Sequence, residues 1–440
     1  MVLDVIVVGA GISGLTCAIT LAKYSHVRVA VFERQAVMEK AGNGIQVPCN
    51  AAHTMRCLGL LDKLLAKTNG PAKAFLNLKF DNGEVLLHKD LTRCEELYGA
   101  PWLLIHRADY MTILLDEARR VGVRVQLDRG VDSVDLNTPL VKLRNGHLHR
   151  ADIIVGCDGI HSTIRSIMHP SKQPIATGEY AYRTLFRRSQ LSSPSFQHLL
   201  STSGTSRCWM GPLANAVFYP LQDGTLFNLV IAIADQQFNN TCDETTLLSS
   251  VKSWLSGWDP TLLKLLEIAD HLVRFPLYQV DELPFWSQGC VTLMGDAAHA
   301  MLPHLAQGAA TGVEDGFILG TLLGRFSAEH ASVPTPRPLL QKQLRTVLRA
   351  YERLQHGRTA HIVSGSRLTG MLNHLPLGPD QMARDAEFAL CNPERTVSAM
   401  PWIDAKTNKE LLGRKADEVA EGQFSRLLIE GKLDVRGFKL

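Results

Sequence analysis

The chain has 440 residues, 45% of them hydrophobic, and its 46 Lys and Arg against 43 Asp and Glu leave a formal charge of +3. That length predicts two or three domains around one large core or two smaller ones. The near balance of charge, without a dense basic block, excludes a reader of phosphate backbones, so nucleic acid is not an expected partner. No run of about eighteen apolar residues occurs, so no transmembrane segment is expected. Nothing resembling a secretory leader precedes "LDVIVVGAGISG", and the chain reads as intracellular, in the cytoplasm. Nine cysteines (17, 49, 57, 94, 157, 208, 242, 290 and 391) are scattered without a CxxC pair. They read as reduced, mostly buried thiols, with neither a disulfide framework nor a bound metal.

"LDVIVV" (3 to 8) is an apolar run of the kind a strand buried on both faces requires, and "GAGISG" follows at once. Gly9 makes the tight turn, Gly11 lets the backbone approach a pyrophosphate, and Gly14 allows the helix Leu15 to Tyr24 to pack on the sheet. A second strand, "VRVAVFER", reaches Glu33, 19 residues beyond Gly14, where a carboxylate accepts a ribose 2'-hydroxyl and repels a 2'-phosphate. Glu33 and its neighbour Arg34 are candidate dinucleotide contacts. The spacing itself leaves NAD and FAD both open.

"GNGIQVPCNAAHTMRCLGLLDKL" (42 to 64) leads a glycine-rich segment into an amphipathic helix, and "IHRADYMTILLDEARRVG" (105 to 122) sets Arg107 at the start of another. Arg107 has two readings, a phosphate or ribose partner and a solvated charge. "ADIIVGCDGIHSTIRSIM" (151 to 168) is again a buried strand, then Asp158-Gly159, then a helix carrying Arg165. A carboxylate at a strand tip sits where open α/β sheets bind ligands, although a tight turn with Ser162 as N-cap explains it too.

From 179 to 280 the pattern turns antiparallel. "RCWMGPLANAVFYPL" and "TLFNLVIAIA" flank "QDG", a hairpin mark. "EYAYRTLFRR" (179 to 188) reads as a strand with Ala181, Arg183, Leu185 and Arg187 on one face and Tyr180, Tyr182, Thr184 and Phe186 on the other. Two facings are open for it: towards a cavity, where Arg183 holds a phenolate or carboxylate, or towards solvent with paired charges. Later, "GDAAHAMLPHLAQGAATGVEDG" (295 to 316) joins an acid, a proline and a second glycine-rich turn. "SAEHASVPTPRP" (327 to 338) reads as a loop, and the segment after it as a long amphipathic helix. No HExxH, GxSxG or P-loop is present, which removes the common hydrolase and kinase readings.

Taken in order, "GAGISG", Glu33, "HRAD", "CDGIHSTIR" and "GDAAHAMLPHLAQGAATGVEDG" resemble the flavin-dependent monooxygenases with a single dinucleotide-binding domain (group A), which include salicylate hydroxylase and 4-hydroxybenzoate hydroxylase, and above all their fungal salicylate-hydroxylase-like branch. The resemblance implies an α/β fold: a Rossmann-like FAD-binding domain, as in 4-hydroxybenzoate hydroxylase, formed by 1–178 and 281–372. It also implies an inserted β-rich substrate domain (179–280) and a C-terminal helical segment (373–440). It implies FAD as cofactor, NAD(P)H as transient co-substrate and O2. It adds Gly44, Ile45, Gln46, Arg107, Asp158, Gly159, Arg165, Gly295, Asp296, Pro303, Gln307, Gly308 and Ala309 to Gly9, Gly11, Gly14, Glu33 and Arg34 as cofactor contacts. His299 reads as structural. Arg183, Tyr219 and His304 are the catalytic candidates, with His304 standing where that branch often has Tyr.

The implied reaction is hydroxylation of a small electron-rich phenol by way of a flavin C4a-hydroperoxide, in secondary metabolism or aromatic catabolism, by a monomer or homodimer. An epoxidase or dearomatising enzyme for an indole or terpenoid is the alternative within the class. An FAD-dependent oxidase or dehydrogenase is the alternative outside it.

Overall fold

The computed structural model describes residues 2–38, 42–241, 243–331 and 335–433. A six-stranded sheet forms its first half, in the spatial order Ser287–Gln288, Val291–Leu293, Ile153–Gly156, Leu3–Val8, Val27–Phe32, Arg124–Gln126. All neighbours are parallel except the first pair. The strand Leu3–Val8 lies in the middle, where both faces are covered, and Leu3, Val5, Ile6, Val7 and Val8 are buried, with Asp4 partly exposed at its start. The last strand to join, Val291–Leu293, comes from far down the chain.

The helix Ile12–Ala22 starts three residues ahead of the predicted Leu15. Its partner is the helix Gly308–Glu329, whose glycines recur every fourth residue. A Cβ added at Gly312, Gly316, Gly320 or Gly324 would come within 2.1 to 2.8 Å of Ser13, Ser13 and Cys17, Thr20 or Tyr24. Four bare positions along one stripe bring the two backbones together and fix the start of the second helix beside the glycine-rich turn of the first. This ladder has no counterpart in the predicted elements.

The second sheet has seven strands in the order Val273–Gln279, Ile175–Arg187, Leu226–Ile233, Ala214–Leu221, Thr205–Gly211, Ala74–Lys79, Val85–Asp90. Ala214–Leu221 and Leu226–Ile233 pair antiparallel across Gln222–Gly224, as the "QDG" mark predicts. "RCWMGPLANAVFYPL", however, is two strands, turning at Leu213 with φ 56°. The sheet also takes two strands from residues 74–90, ahead of the 179–280 span. One face packs Tyr182, Phe186, Phe218, Leu229 and Ile231 against the helices Leu247–Trp254 and Pro260–Glu267, forming a second core. The other face turns towards the first domain.

The helix predicted after residue 338 runs from Arg337 to Asn373. The expected loop 327–338 is shorter, since Gly308–Glu329 carries helix through its first residues, with Ser327 Oγ donating to His26 O at 2.7 Å; residues 332–334 lie outside the described residues. The tail forms helices Pro379–Ala389, Ala405–Leu412 and Ala416–Ile429. It packs on the body, with Trp402 edge-on to Phe75 at 4.8 Å and its indole N–H donating to Asn77 at 3.1 Å.

Candidate active site

A trough runs across the ends of the parallel strands, where open α/β sheets bind ligands. Its first part is built by backbone. Gly9 has φ +106°, and a Cβ there would lie 2.3 Å from the Cys157 carbonyl oxygen; at Gly14 a Cβ would lie 2.1 Å from Gly9 O. Gly11 and Gly159 border the trough with no atom within 4 Å of an added Cβ, which is the room a phosphate against bare backbone needs. Glu33 Oε2 accepts the Ala10 N–H at 2.8 Å and Oε1 that of Gln35 at 3.0 Å, so the carboxylate is held over the turn with lone pairs left for a ribose. Arg34, Arg107, Asp158 and Gly159 border the same space. Burial pushes the Asp158 carboxyl upward, opposed by hydrogen bonds from Ser162 Oγ and the Thr163 and Ile164 amides. It thus caps the next helix while its own backbone edges the trough.

The late segment closes the trough from the other side. Every residue from Cys290 to Ala300 is buried except Asp296, which is exposed to the trough. The turn behind it is fixed by Asp315. That carboxylate, fully buried, accepts the Gly295 N–H at 2.9 Å, His299 Nε2 at 2.6 Å and Gln355 Nε2 at 2.7 Å. Burial lowers the proton affinity of His299, but Asp315 outweighs it and raises the net value. His299 therefore faces a structural partner. Pro303, Gly308 and Ala309 border the trough, placing a helix N-terminus, with its unpaired N–H groups, on the same space.

Between the two domains the trough widens into a cavity of about 1660 Å³, open mouth included, and the glycine-lined part adds about 1140 Å³. Gly44, Ile45 and Gln46 form one wall; a Cβ at Gly44 would meet the Tyr219 ring at 2.5 Å, and its N–H is held by Asn228 Oδ1 at 2.9 Å. The sheet forms the floor with Arg183, Asn215, Val217, Tyr219, Val230 and Ala232. The strand facing left open by periodicity is thereby decided: Arg183 points into the cavity, and Tyr182 and Phe186 into the second core. Burial lowers the proton affinity of Arg183, its Nε has no hydrogen-bond partner, and no carboxylate pairs with it among the described residues. The nearest charge influences are Tyr219 and Arg107. Burial pushes the Tyr219 hydroxyl well above its ordinary range, so it stays protonated. His304 borders the cavity beyond Pro303.

Two of the expected cofactor contacts have side chains buried among protein partners. Arg165 is fully buried, and its guanidinium donates to the carbonyls of Lys172 at 3.2 Å, Ala297 at 3.1 Å and Ile160, so it ties the 158–172 segment to the Asp296 turn and does not reach the trough. Gln307 is fully buried, with its Oε1 accepting from Asn50 Nδ2 at 3.0 Å and its Nε2 without a hydrogen-bond partner. Gly14 and Gly295 act from beneath, by close packing. Residues that bear on the site without a sequence signal are Asp315, Asn50, Glu179, His374, and the arginines 129 and 144 at the glycine-rich end. Only the spacing of Gly308, 312, 316, 320 and 324 was readable, as a stripe that a neighbouring helix must fill.

The described residues contain no helix long and apolar enough to cross a membrane. Residues 2–335 match the family model described as "FAD binding domain". The chain is 32% identical over 409 residues to a 3-amino-4-hydroxybenzoate 2-monooxygenase of Streptomyces cremeus, covering 91% of this chain and 94% of the relative. It is 31% identical over 394 residues to the FAD-dependent monooxygenase atnJ of an Arthrinium species, covering 88% of each. A solved salicylate hydroxylase in complex with substrate superposes with a TM-score of 0.68 at 22% identity, over 99% of this chain and 96% of that one, which shows a shared fold. The bare-backbone turn, the Glu33 acceptor and the lone exposed Asp296 fit FAD, and FAD is the cofactor, with NAD(P)H and O2 the co-substrates of this class. The chain belongs to the FAD-binding-domain family of FAD-dependent monooxygenases.

Proposed function

We propose that the chain hydroxylates an electron-rich phenolic aromatic compound, with Arg183, Tyr219 and His304 contacting the substrate. The observation that carries this reading is Arg183: a buried cation without a carboxylate partner among the described residues, set beside Tyr219 on the floor of a cavity walled by the Gly44–Gln46 segment. A phenolate or aromatic carboxylate supplies the missing countercharge, and ring activation by a phenolate oxygen is what electrophilic oxygen transfer demands. Bound FAD supplies the electrons taken from NAD(P)H and the activation of O2.

The rest is done by the chain. Arg183 attracts the anionic form of the substrate and Tyr219, held protonated, donates a hydrogen bond to it. Val217, Val230 and Ala232 offer the ring an apolar bed and keep water from it. Loops and sheet orient the ring; no side chain acts as a covalent nucleophile. The aminohydroxybenzoate substrate in the name of the Streptomyces cremeus relative supports an acidic aromatic compound.

The test is Arg183→Ala. With the flavin spectrum unchanged, kcat/KM for a phenolic substrate is expected to fall about 100-fold, roughly 3 kcal/mol of lost charge pairing. Unchanged turnover would remove the phenolate reading.

A further inference from the structure

The cavity floor has a second polar end. Glu179, Ala181 and Arg183 alternate onto one face of the strand Ile175–Arg187, and four residues of strand separate Glu179 from Arg183 by about 13 Å. Between them the floor is made of small side chains, because register sets Ala181 opposite Ala232, and beyond Ala232 stands Asn215.

At the far end Glu179 Oε1 lies 3.0 Å from His304 Nε2, with the two side chains only 8% and 2% exposed. The His304 ring stands edge-on to His374, centroids 5.3 Å apart, and His374 Nε2 is 2.7 Å from Asn215 Oδ1. The long helix presses on this group at Gly370, where a Cβ would meet the His304 ring at 2.5 Å.

The titratable groups facing one another here are Glu179 from the sheet, His304 from the Pro303–Leu305 turn and His374 from the end of the long helix. Arg183 and Tyr219 stand across the floor. The neighbouring strand Val273–Gln279 turns Arg274 onto the Tyr180 ring, on the opposite face. Burial raises the Glu179 carboxyl, but His304 beside it is the main influence that outweighs burial and holds it below its usual range. Burial pushes His374 down to about 4, so His374 is the neutral member.

We propose that Glu179 and His304 form a proton-accepting dyad at the end of the cavity opposite Arg183, and that the substrate is an elongated aromatic carrying an acidic group for Arg183 and a second, ionisable hydroxyl for His304. This rests on the hydroxylase reading of the same cavity. The Glu179 carboxylate, 3.0 Å from Nε2 although not aligned as a hydrogen bond, favours a proton on that nitrogen by its charge and leaves Nδ1 as acceptor. The substrate O–H bond breaks, its electron pair stays on oxygen, and the proton forms a new N–H bond on His304. The resulting imidazolium is balanced by the Glu179 carboxylate. Glu179 is thus a positioning residue and His304 the catalytic one. An ortho-hydroxy acid, whose two polar groups are adjacent on one ring, cannot engage both ends.

The test uses the FAD-loaded full chain and 4-hydroxycinnamate, which carries a carboxylate and a phenol at opposite ends, following phenolate absorbance against pH by difference spectra. In the wild type the bound phenol is expected to ionise about one pH unit or more below the free compound. Glu179→Gln and His304→Gln should each abolish that shift while the flavin spectrum is kept, and Glu179→Asp should restore part of it. Identical ionisation in all these proteins would overturn the dyad, as would failure of the probe to bind the wild type. One divalent metal ion per chain, lost in His304→Gln, would also overturn it, by making the three side chains ligands. If the bound phenol ionises as expected but no phenol in a panel gains oxygen with NAD(P)H and O2, the hydroxylase reading fails and the dyad stands.

Discussion

The two halves of the trough are built by different means. Around Gly9, Gly11 and Gly159 the site is backbone, shaped by what glycine lacks, and the side chains that matter there, Glu33 and Asp158, are held by amides. On the sheet floor the candidate site is side chains, Arg183, Tyr219, Asn215 and Glu179, standing on strands whose backbone would serve any residue, with His304 reaching in from the Pro303–Leu305 turn. A backbone site tolerates almost no change and serves one ligand; a side-chain site on a regular sheet can be re-lettered for a new substrate without moving the scaffold. Variants in the first half should therefore act on flavin retention and stability, and variants in the second on turnover and pH response.

The largest effect is expected at Asp315, which supports the backbone half from below. Asp315→Ala leaves Gly295 N–H, His299 and Gln355 unpaired in a buried place, and should cost about 3–5 kcal/mol in urea unfolding together with loss of bound flavin. Full stability and full flavin content in that variant would break the comparison. Gly14→Ala, pushing a methyl to 2.1 Å from Gly9 O, should cost about 1–3 kcal/mol and weaken FAD, whereas a change of the same size at Val217 on the floor should leave FAD in place.

The floor has its own signature in pH. His374 is held to about 4 in the folded chain, against an unfolded value of about 6.5. Its contribution is present above pH 6.5 and is lost as pH falls towards 4, because the unfolded chain binds a proton that the folded chain refuses. Unfolding free energy should drop by about 2 kcal/mol between pH 7 and pH 5 from this group, and His374→Gln should flatten that slope. An unchanged slope would move the titrating group elsewhere. Smallest of all is Arg28→Ala, which removes an ion pair to Asp4 at 2.7 Å between side chains 64% and 38% exposed; no measurable change in urea unfolding is expected, with flavin and turnover untouched.

The same contrast decides what was legible in the sequence. The backbone half could be read because glycines at fixed spacing, a strand before and a helix after constrain each other: Gly9 makes the tight turn and Gly14 the close packing that their positions imply, and Glu33 lies beside that turn. The "QDG" hairpin was legible for the same reason, with Gln222, Asp223 and Gly224 all at positive φ. The turn at Leu213 was not, because a leucine occupies the left-handed position that Gly or Asn normally marks. Arg165 was ambiguous because an arginine at a helix start has one appearance, whether its donors meet a phosphate or the carbonyls that they meet in this structure. The facing of Arg183 needed register, and the meeting of Glu179, His304 and His374 needed three elements far apart in the chain, which no local spacing encodes.

The most direct test of the central claim is turnover of the flavin-loaded chain with NAD(P)H and 18O2 over a panel of two-ended phenols, reading product mass and hydrogen peroxide together. The account predicts one 18O atom in the product per NAD(P)H consumed for at least one elongated phenolic acid, with little peroxide. NAD(P)H consumption matched entirely by hydrogen peroxide with every phenol, or a purified chain that retains no flavin, would contradict it.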